Sequence, residues 1–235
     1  MTPTRPAEPV RTFGLVTLAL CMAALVIDGL DYQLLALVAP VIMGEWGVAR
    51  SDFGAAMAAA LFGMAFGAAG GGWLGDRIGR LRALVLAVVV FGAATMAASR
   101  AQDVTALAAL RVIGGIGFGA AGPNAIALAS EWMPLRSRTY VVALLAVGTP
   151  AGGMLGAVLL PQMLPGLGWR GVFVVLGMTA VVLGGILLFV LREPPGTERG
   201  TAEAGRLFSA ENLRLNAGVG LSFAALTAVV YGLGA

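Results

Sequence analysis

The chain has 235 residues, 59% of them hydrophobic and 11% charged, with a net charge of +3 and a mean hydropathy of +0.91. That balance excludes a soluble domain and reads as a helical membrane protein that crosses the bilayer several times. Lysine and histidine are absent and Cys21 is the single cysteine, which removes histidine bases and ligands, lysine Schiff bases, intramolecular disulfides and multi-cysteine metal sites.

Residues 1–12 read as a short polar tail. Arg5 and Arg11 ahead of an apolar run imitate a signal peptide, but the run continues far past a signal's short core. The first helix is predicted over 13–43, which exceeds the ~20 apolar residues a bilayer requires. Asp28 and Asp31 lie in its middle and, at i and i+3, share one face. Each central carboxylate costs about 2.5–3.5 kcal/mol on insertion scales, so the helix inserts only marginally by itself. Such residues point to function and require a partner.

A loop at 44–52 follows, carrying Glu45, Trp46, Arg50 and Asp52, with Ser51 as the expected N-cap. The second helix, 53–74, carries Gly63, Gly67 and Gly71, and Gly75 continues the spacing. Such a stripe lets another backbone approach closely. The third helix is predicted over 83–99 and the fourth over Val104–Ser130, with Arg111 inside it. The fifth covers Tyr140–Leu160, with small residues at Gly148, Gly152 and Gly156. A loop at 162–170 ends in Trp169-Arg170, and the sixth helix covers 171–191. The stretch 192–212 reads as a flexible linker, before a last apolar segment at 213–235.

Arginine sets the expected orientation. With the N-terminus inside, eleven arginines (5, 11, 77, 80, 82, 136, 138, 192, 199, 206 and 214) fall on the inner side and three (50, 100 and 170) on the outer. The high pI therefore reflects the membrane faces, not a nucleic-acid surface.

Gly72-Trp73-Leu74-Gly75-Asp76-Arg77-Ile78-Gly79-Arg80-Leu81-Arg82 joins the second and third helices. It resembles the signature of the major facilitator superfamily at this position, Gly-x-Leu-Ala/Gly-Asp-Arg-x-Gly-Arg followed by a basic residue. Leu81 stands in that basic position, with Arg82 next to it. Arg111-x3-Gly115-x-Gly117-x-Gly119-x3-Pro123-Asn124 resembles the fourth-helix pattern of the same superfamily. Gly117, Gly119 and Gly122 also spell GxGxxG, but neither a preceding strand nor a following acidic residue supports a dinucleotide site. Asp28-Gly29-x-Asp31 and Ser130-Glu131-Trp132-x-Pro134-x-Arg136 narrow the resemblance to the aromatic acid:proton symporters.

The resemblance implies an all-α integral membrane fold: a six-helix bundle over 13–191, internally a 3+3 inverted repeat, and the start of a seventh helix. It covers the first half of a twelve-helix transporter, so the expectation is a truncated product or a half-sized protein that must pair. The implied function is proton-coupled uptake of a small organic anion, an aromatic carboxylate first of all, across a bacterial inner membrane. A drug or other organic-acid porter on the same fold is the alternative, as is a fragment that transports nothing. No enzymatic chemistry and no cofactor are expected; the partners are the anion, protons, the lipid bilayer and a second bundle.

Two groups of site residues follow. Asp28, Asp31, Arg111, Gln33 and Asn124 are expected to serve proton coupling and substrate. Asp76, Arg77, Gly79, Arg80, Glu131 and Arg136 are expected to form an inner gate, with Glu131 pairing to an arginine of the 75–82 loop. Counting at ~1.5 Å per residue puts Arg111 level with Asp28. Arginine keeps its charge, so Arg111 needs an anion: the acidic pair, titrating as a unit, or the substrate carboxylate.

Overall fold

The computed structural model describes residues 8–194. The first seven residues, most of the expected linker and the expected helix at 213–235 lie outside the described residues. The described residues form α1 (Glu8–Trp46), α2 (Arg50–Ile78), α3 (Arg80–Ala98), α4 (Val104–Glu131), a 3-10 turn (Leu135–Ser137), α5 (Arg138–Ala146) and α6 (Gly148–Val190).

Five segments are long and apolar enough to cross a membrane, and the last of them, Leu135–Val190, holds 56 residues. It supplies two crossings. Gly152 packs on Val26 and Gly156 on Leu30 and Gln33, so the first limb of α6 runs parallel to α1. Gly177 meets Gly92 and Met96 while Gly184 meets Val89 and Val85, so the second limb runs antiparallel to α3. Helices α1 and α3 both oppose α4, through Phe13 on Trp132 and Asp31 on Arg111 for α1, and through Ala94 beside Gly114 and Ala87 beside Gly117 for α3. The two limbs therefore point in opposite directions. The reversal is at Gly168, with φ 63° and ψ 171°, a conformation essentially reserved for glycine.

The described residues thus supply the six crossings expected, with different boundaries. The loop expected at 162–170 is helical up to the Gly168 break. The expected fifth helix is divided at Val147, because Pro150 has no N–H to donate to the Ala146 carbonyl and instead occupies the first turn of α6. Helix α1 begins at Glu8, inside the stretch read as a polar tail. Ser51 is not the cap of α2; the helix starts at Arg50 and its N-cap is Ala49, without a side-chain hydrogen bond.

Helices α2 and α4 run parallel with backbones almost touching. A Cβ on Gly63 would strike the Val112 carbonyl, one on Gly67 the Ile116 carbonyl, and one on Gly71 would strike Ala120. In the reverse direction Gly115 abuts Ala60 and Gly119 abuts Met64. In hydrocarbon no hydrophobic force draws helices together, so this close van der Waals fit is what associates them. The outside remains apolar, with Phe62, Phe66, Met154 and Phe189 exposed, a surface suited to lipid or another bundle rather than water.

Candidate functional site

The centre of the bundle holds one buried ion pair. Arg111 Nη1 donates to Asp31 Oδ2 at 2.7 Å, and the two residues are 7% and 4% exposed. Thr95 of α3, also buried, donates its hydroxyl to Asp31 Oδ1 at 3.0 Å. Both oxygens of Asp31 are thus occupied by donors. Asp28, one turn earlier and 1% exposed, has a buried Oδ1 without a hydrogen-bond partner, and Arg111 Nη2 is likewise unpartnered. Phe173 of the second α6 limb lies under the guanidinium, with Arg111 Cζ 4.8 Å from the ring centroid. Tyr32 and Phe118 also meet across α1 and α4, tilted with ring centroids 6.0 Å apart.

Arg111 was expected level with Asp28; its partner is Asp31, one turn further along α1. The acidic pair is also not symmetric, since the donors converge on Asp31 alone. Gln33 stands apart. Two residues beyond Asp31 it is turned about 200° around the helix, and its Cβ would lie 3.3 Å from a Cβ on Gly156, on the α6 side. Asn124 is elsewhere too, thirteen residues past Arg111 and roughly 20 Å away along α4. Its Nδ2 donates to the Gly71 and Ala120 carbonyls at 2.9 and 2.8 Å, pinning α4 to α2 where the glycine stripe passes.

A second cluster sits at the arginine-rich end. Gly79, at φ 103°, separates α2 from α3; only glycine turns there without strain. Arg80 binds Asp76 at 2.5 Å and Glu131 at 3.6 Å, and donates to the Gly72 carbonyl at 3.4 Å. The expected contact between Glu131 and the 75–82 loop is thus present, through Arg80. Arg77 is not part of it; its guanidinium stacks on Trp73 at 4.1 Å. Nor is Arg136, exposed on the 3-10 turn; Arg138 is the second arginine whose field reaches Glu131.

Glu193, read as linker, belongs to this cluster. Its Oε1 accepts from the backbone N–H of Leu81 at 3.0 Å and of Arg82 at 3.4 Å, an anionic cap at the positive end of α3. A Cβ on Gly79 would collide with the same carboxylate. Trp132 stacks on Phe13 at 4.5 Å and donates to the Arg192 carbonyl at 3.3 Å, so α1, α4 and the end of α6 meet there.

At the opposite end, Glu45 accepts from Trp169 Nε1 at 2.6 Å and from Arg170 Nη1 at 2.5 Å. Trp46 packs edge-on against Trp169, and Trp169 edge-on against Phe173. This ladder runs from the α1 terminus to the ring beneath Arg111. The tryptophans at both loop ends were its visible signal; Phe173, one aromatic in an apolar run, had none.

A six-crossing α bundle with a buried carboxylate–guanidinium pair and an Asp-Arg-x-Gly-Arg turn defines a class of membrane transporter. The profile of the Major Facilitator Superfamily matches residues 21–235, and the chain belongs to that family. Among curated relatives, the chain is 37% identical over 187 residues to the 4-hydroxybenzoate transporter PcaK of Pseudomonas aeruginosa, covering 80% of this chain and 42% of that protein. It is 34% identical over 186 residues to the gallate transporter of Pseudomonas putida, covering 79% and 41%. The chain spans less than half the length of these relatives. Among solved structures it is similar to the proton:xylose symporter XylE, with a TM-score of 0.72 at 19% identity over 82% of this chain and 48% of that one, a likeness of fold.

Proposed function

We propose that this chain supplies the N-terminal bundle of a proton-coupled importer of aromatic carboxylates, with Asp28, Asp31 and Arg111 as its working residues. The observation that carries the reading is the buried Arg111–Asp31 pair flanked by two partnerless atoms, Asp28 Oδ1 and Arg111 Nη2. A buried polar atom without a partner is expensive to maintain, and in a membrane it marks a place where something binds. A carboxylate is the natural occupant beside a guanidinium edge, and a proton beside a bare carboxylate oxygen. The relatives named for 4-hydroxybenzoate and gallate support an aromatic carboxylate as the substrate.

The roles divide between the two acids. Asp31, held by Thr95 and Arg111, stays the internal counter-ion of the arginine. Asp28, which has no such donor at Oδ1, takes the proton. Protonation of Asp28 removes one negative charge beside Arg111, and the substrate carboxylate then completes the guanidinium's shell. Release of substrate on the cytoplasmic side lets the proton follow. The Arg80, Asp76 and Glu131 cluster lies at that inner face and, with Glu193, closes the pathway against a second bundle, which the chain's continuation or a second copy provides.

The test is acid-driven uptake of labelled 4-hydroxybenzoate, gallate and benzoate by cells expressing the intact gene. Asp28→Asn should abolish accumulation while leaving exchange of substrate across the membrane, and Arg111→Gln should abolish both. Normal accumulation in Asp28→Asn ends the coupling assignment; uptake of none of the three acids ends the substrate class. Orientation is tested separately. Cysteine at position 50 should react with an impermeant reagent in intact cells and cysteine at 82 should not; the reverse pattern would overturn it.

A further inference from the structure

We infer that Phe173 is a positioning residue for Arg111: its ring fixes the plane of the guanidinium so that one edge remains with Asp31 while the other stays open to a carboxylate. The inference rests on the functional reading above and concerns a residue outside the charged set.

A buried arginine with several rotatable bonds and a single strong partner would follow that partner. Arg111 has a second, uncharged one. Phe173 is fully buried, and its face lies 4.8 Å below the guanidinium carbon, within reach of a cation–π attraction that strengthens when water is excluded. The five N–H groups of the guanidinium share one plane by its own geometry, and a ring close beneath Cζ limits how far that plane can turn. Nη1 then points at Asp31 Oδ2 at 2.7 Å, and Nη2, which has no partner, lies in that same plane. Bidentate recognition of a carboxylate requires such a preset edge.

The ring itself is held. Trp169 packs edge-on against it, with centroids 5.7 Å apart and planes at 82°. Trp169 is 3% exposed and fixed by its Nε1 hydrogen bond to Glu45 at 2.6 Å. The Gly168 break sets where the second limb starts, one residue before Trp169 and five before Phe173. The orientation of Arg111 is thus referred to the end of α1 through three side chains, independently of Asp31. When a substrate carboxylate binds the open edge beside Asp31, the uncharged ring does not compete with it, and the arginine stays in place.

The experiment compares Phe173→Leu, which keeps apolar bulk and loses the π face, with Phe173→Tyr, which keeps the ring. Uptake of 4-hydroxybenzoate by cells expressing the intact gene is measured as KM and maximal rate, normalised to protein in the membrane. The expected result is a rise in KM of about tenfold for Phe173→Leu with the maximal rate within about threefold, and near-normal KM for Phe173→Tyr. An unchanged KM with fewer copies or a lower maximal rate would mean that Phe173 only fills space, and the inference fails. A substrate-free measurement stands beside it: melting of the purified chain in a cycle of Phe173→Leu and Arg111→Met. Non-additive shifts support the contact, and additive shifts overturn it. Non-additive shifts in a protein that takes up no aromatic acid would retire the substrate reading while leaving Phe173 as the partner of Arg111.

Discussion

Helix α4 meets two of its neighbours, α2 and α1, in very different ways. Against α2 it presents glycine to glycine, so that Gly63, Gly67 and Gly71 on one side and Gly115 and Gly119 on the other leave room for no added methyl group. Against α1 it presents side chains: Arg111 to Asp31, and Phe118 to Tyr32. Helix α1 in turn finds its own close backbone partner in α6, where Gly29 abuts Thr149 and Gly153, and Gly152 abuts Val26. Close backbone contact thus joins α2 to α4 and α1 to the first limb of α6, with α3 fitted as closely against α4 and the second limb of α6 through Gly117, Gly92 and Gly177. The buried charged pair lies in the seam between α1 and α4. Backbone contact makes a seam that cannot slide without clashing; side-chain contact makes one whose partners can be exchanged. A transporter needs both.

The largest effect expected comes from breaking the polar seam. Arg111→Gln leaves Asp31 buried without its cation, a change that costs about 3–5 kcal/mol when one member of a buried pair is removed. Melting of the purified protein should fall sharply, and adding Asp31→Asn should recover more than half of the loss. If the double variant is no better than Arg111→Gln alone, the pair contributes nothing specific to the seam.

The glycine seam is tested by a matched pair. Gly67→Ala drives a methyl group into the Ile116 carbonyl, whereas a Cβ on Gly70, three residues along the same helix, meets nothing within 4 Å. Overpacking of this kind costs about 1–3 kcal/mol. The first variant should melt lower and the second should not. Equal melting would show that the α2–α4 contact yields readily, and the contrast between the seams would lose its basis.

Smaller effects belong to the arginine-rich end. Glu193→Ala removes the anionic cap of α3, and loss of a helix cap is worth about 0.5–2 kcal/mol. Hydrogen exchange at the Leu81 and Arg82 amides should accelerate while exchange in the middle of α3 is unchanged. Acceleration along all of α3 would mean that Glu193 supports the whole helix and not its first turn. Glu131→Gln is expected to be smallest for stability, about 0–1 kcal/mol, because the pair with Arg80 is long at 3.6 Å and partly exposed. Its effect should appear in transport rate instead. A large drop in melting would make the cluster a fold determinant rather than a gate.

Legibility in the sequence followed the length scale of the physics. The glycine stripe of α2 was readable because a four-residue repeat is a local property of one helix, but that its partner is α4, in parallel register, is not encoded in the stripe. Asp28, Asp31 and Arg111 were readable as charges in need of partners because charge in hydrocarbon demands one wherever the chain puts it. Gln33 and Asn124 lie away from that pair. Membership of a motif does not put residues on one side of a helix or at one depth; their spacing along the helix does, and it sets both apart from the pair. Glu193 looked like linker because a single acid in a polar stretch carries no periodicity; its role exists only where α3 happens to begin.

Composition and hydropathy alone determined that this is a polytopic α-helical membrane chain, since no other backbone arrangement but a closed β-barrel satisfies its hydrogen bonds in lipid. The Asp-Arg-x-Gly-Arg turn carried the resemblance to the family that the profile match shows. The tertiary structure decided what the sequence left degenerate: that Arg111 pairs with Asp31 and leaves Asp28 Oδ1 bare, that Thr95 and Phe173 complete the surroundings of that pair, and that the chain doubles back at Gly168. Each of these depends on helix rotation and register. In a bilayer, where lipid tails are as apolar as the side chains, those are set by how closely two surfaces fit, a property that belongs to pairs of helices and to no single stretch of the chain.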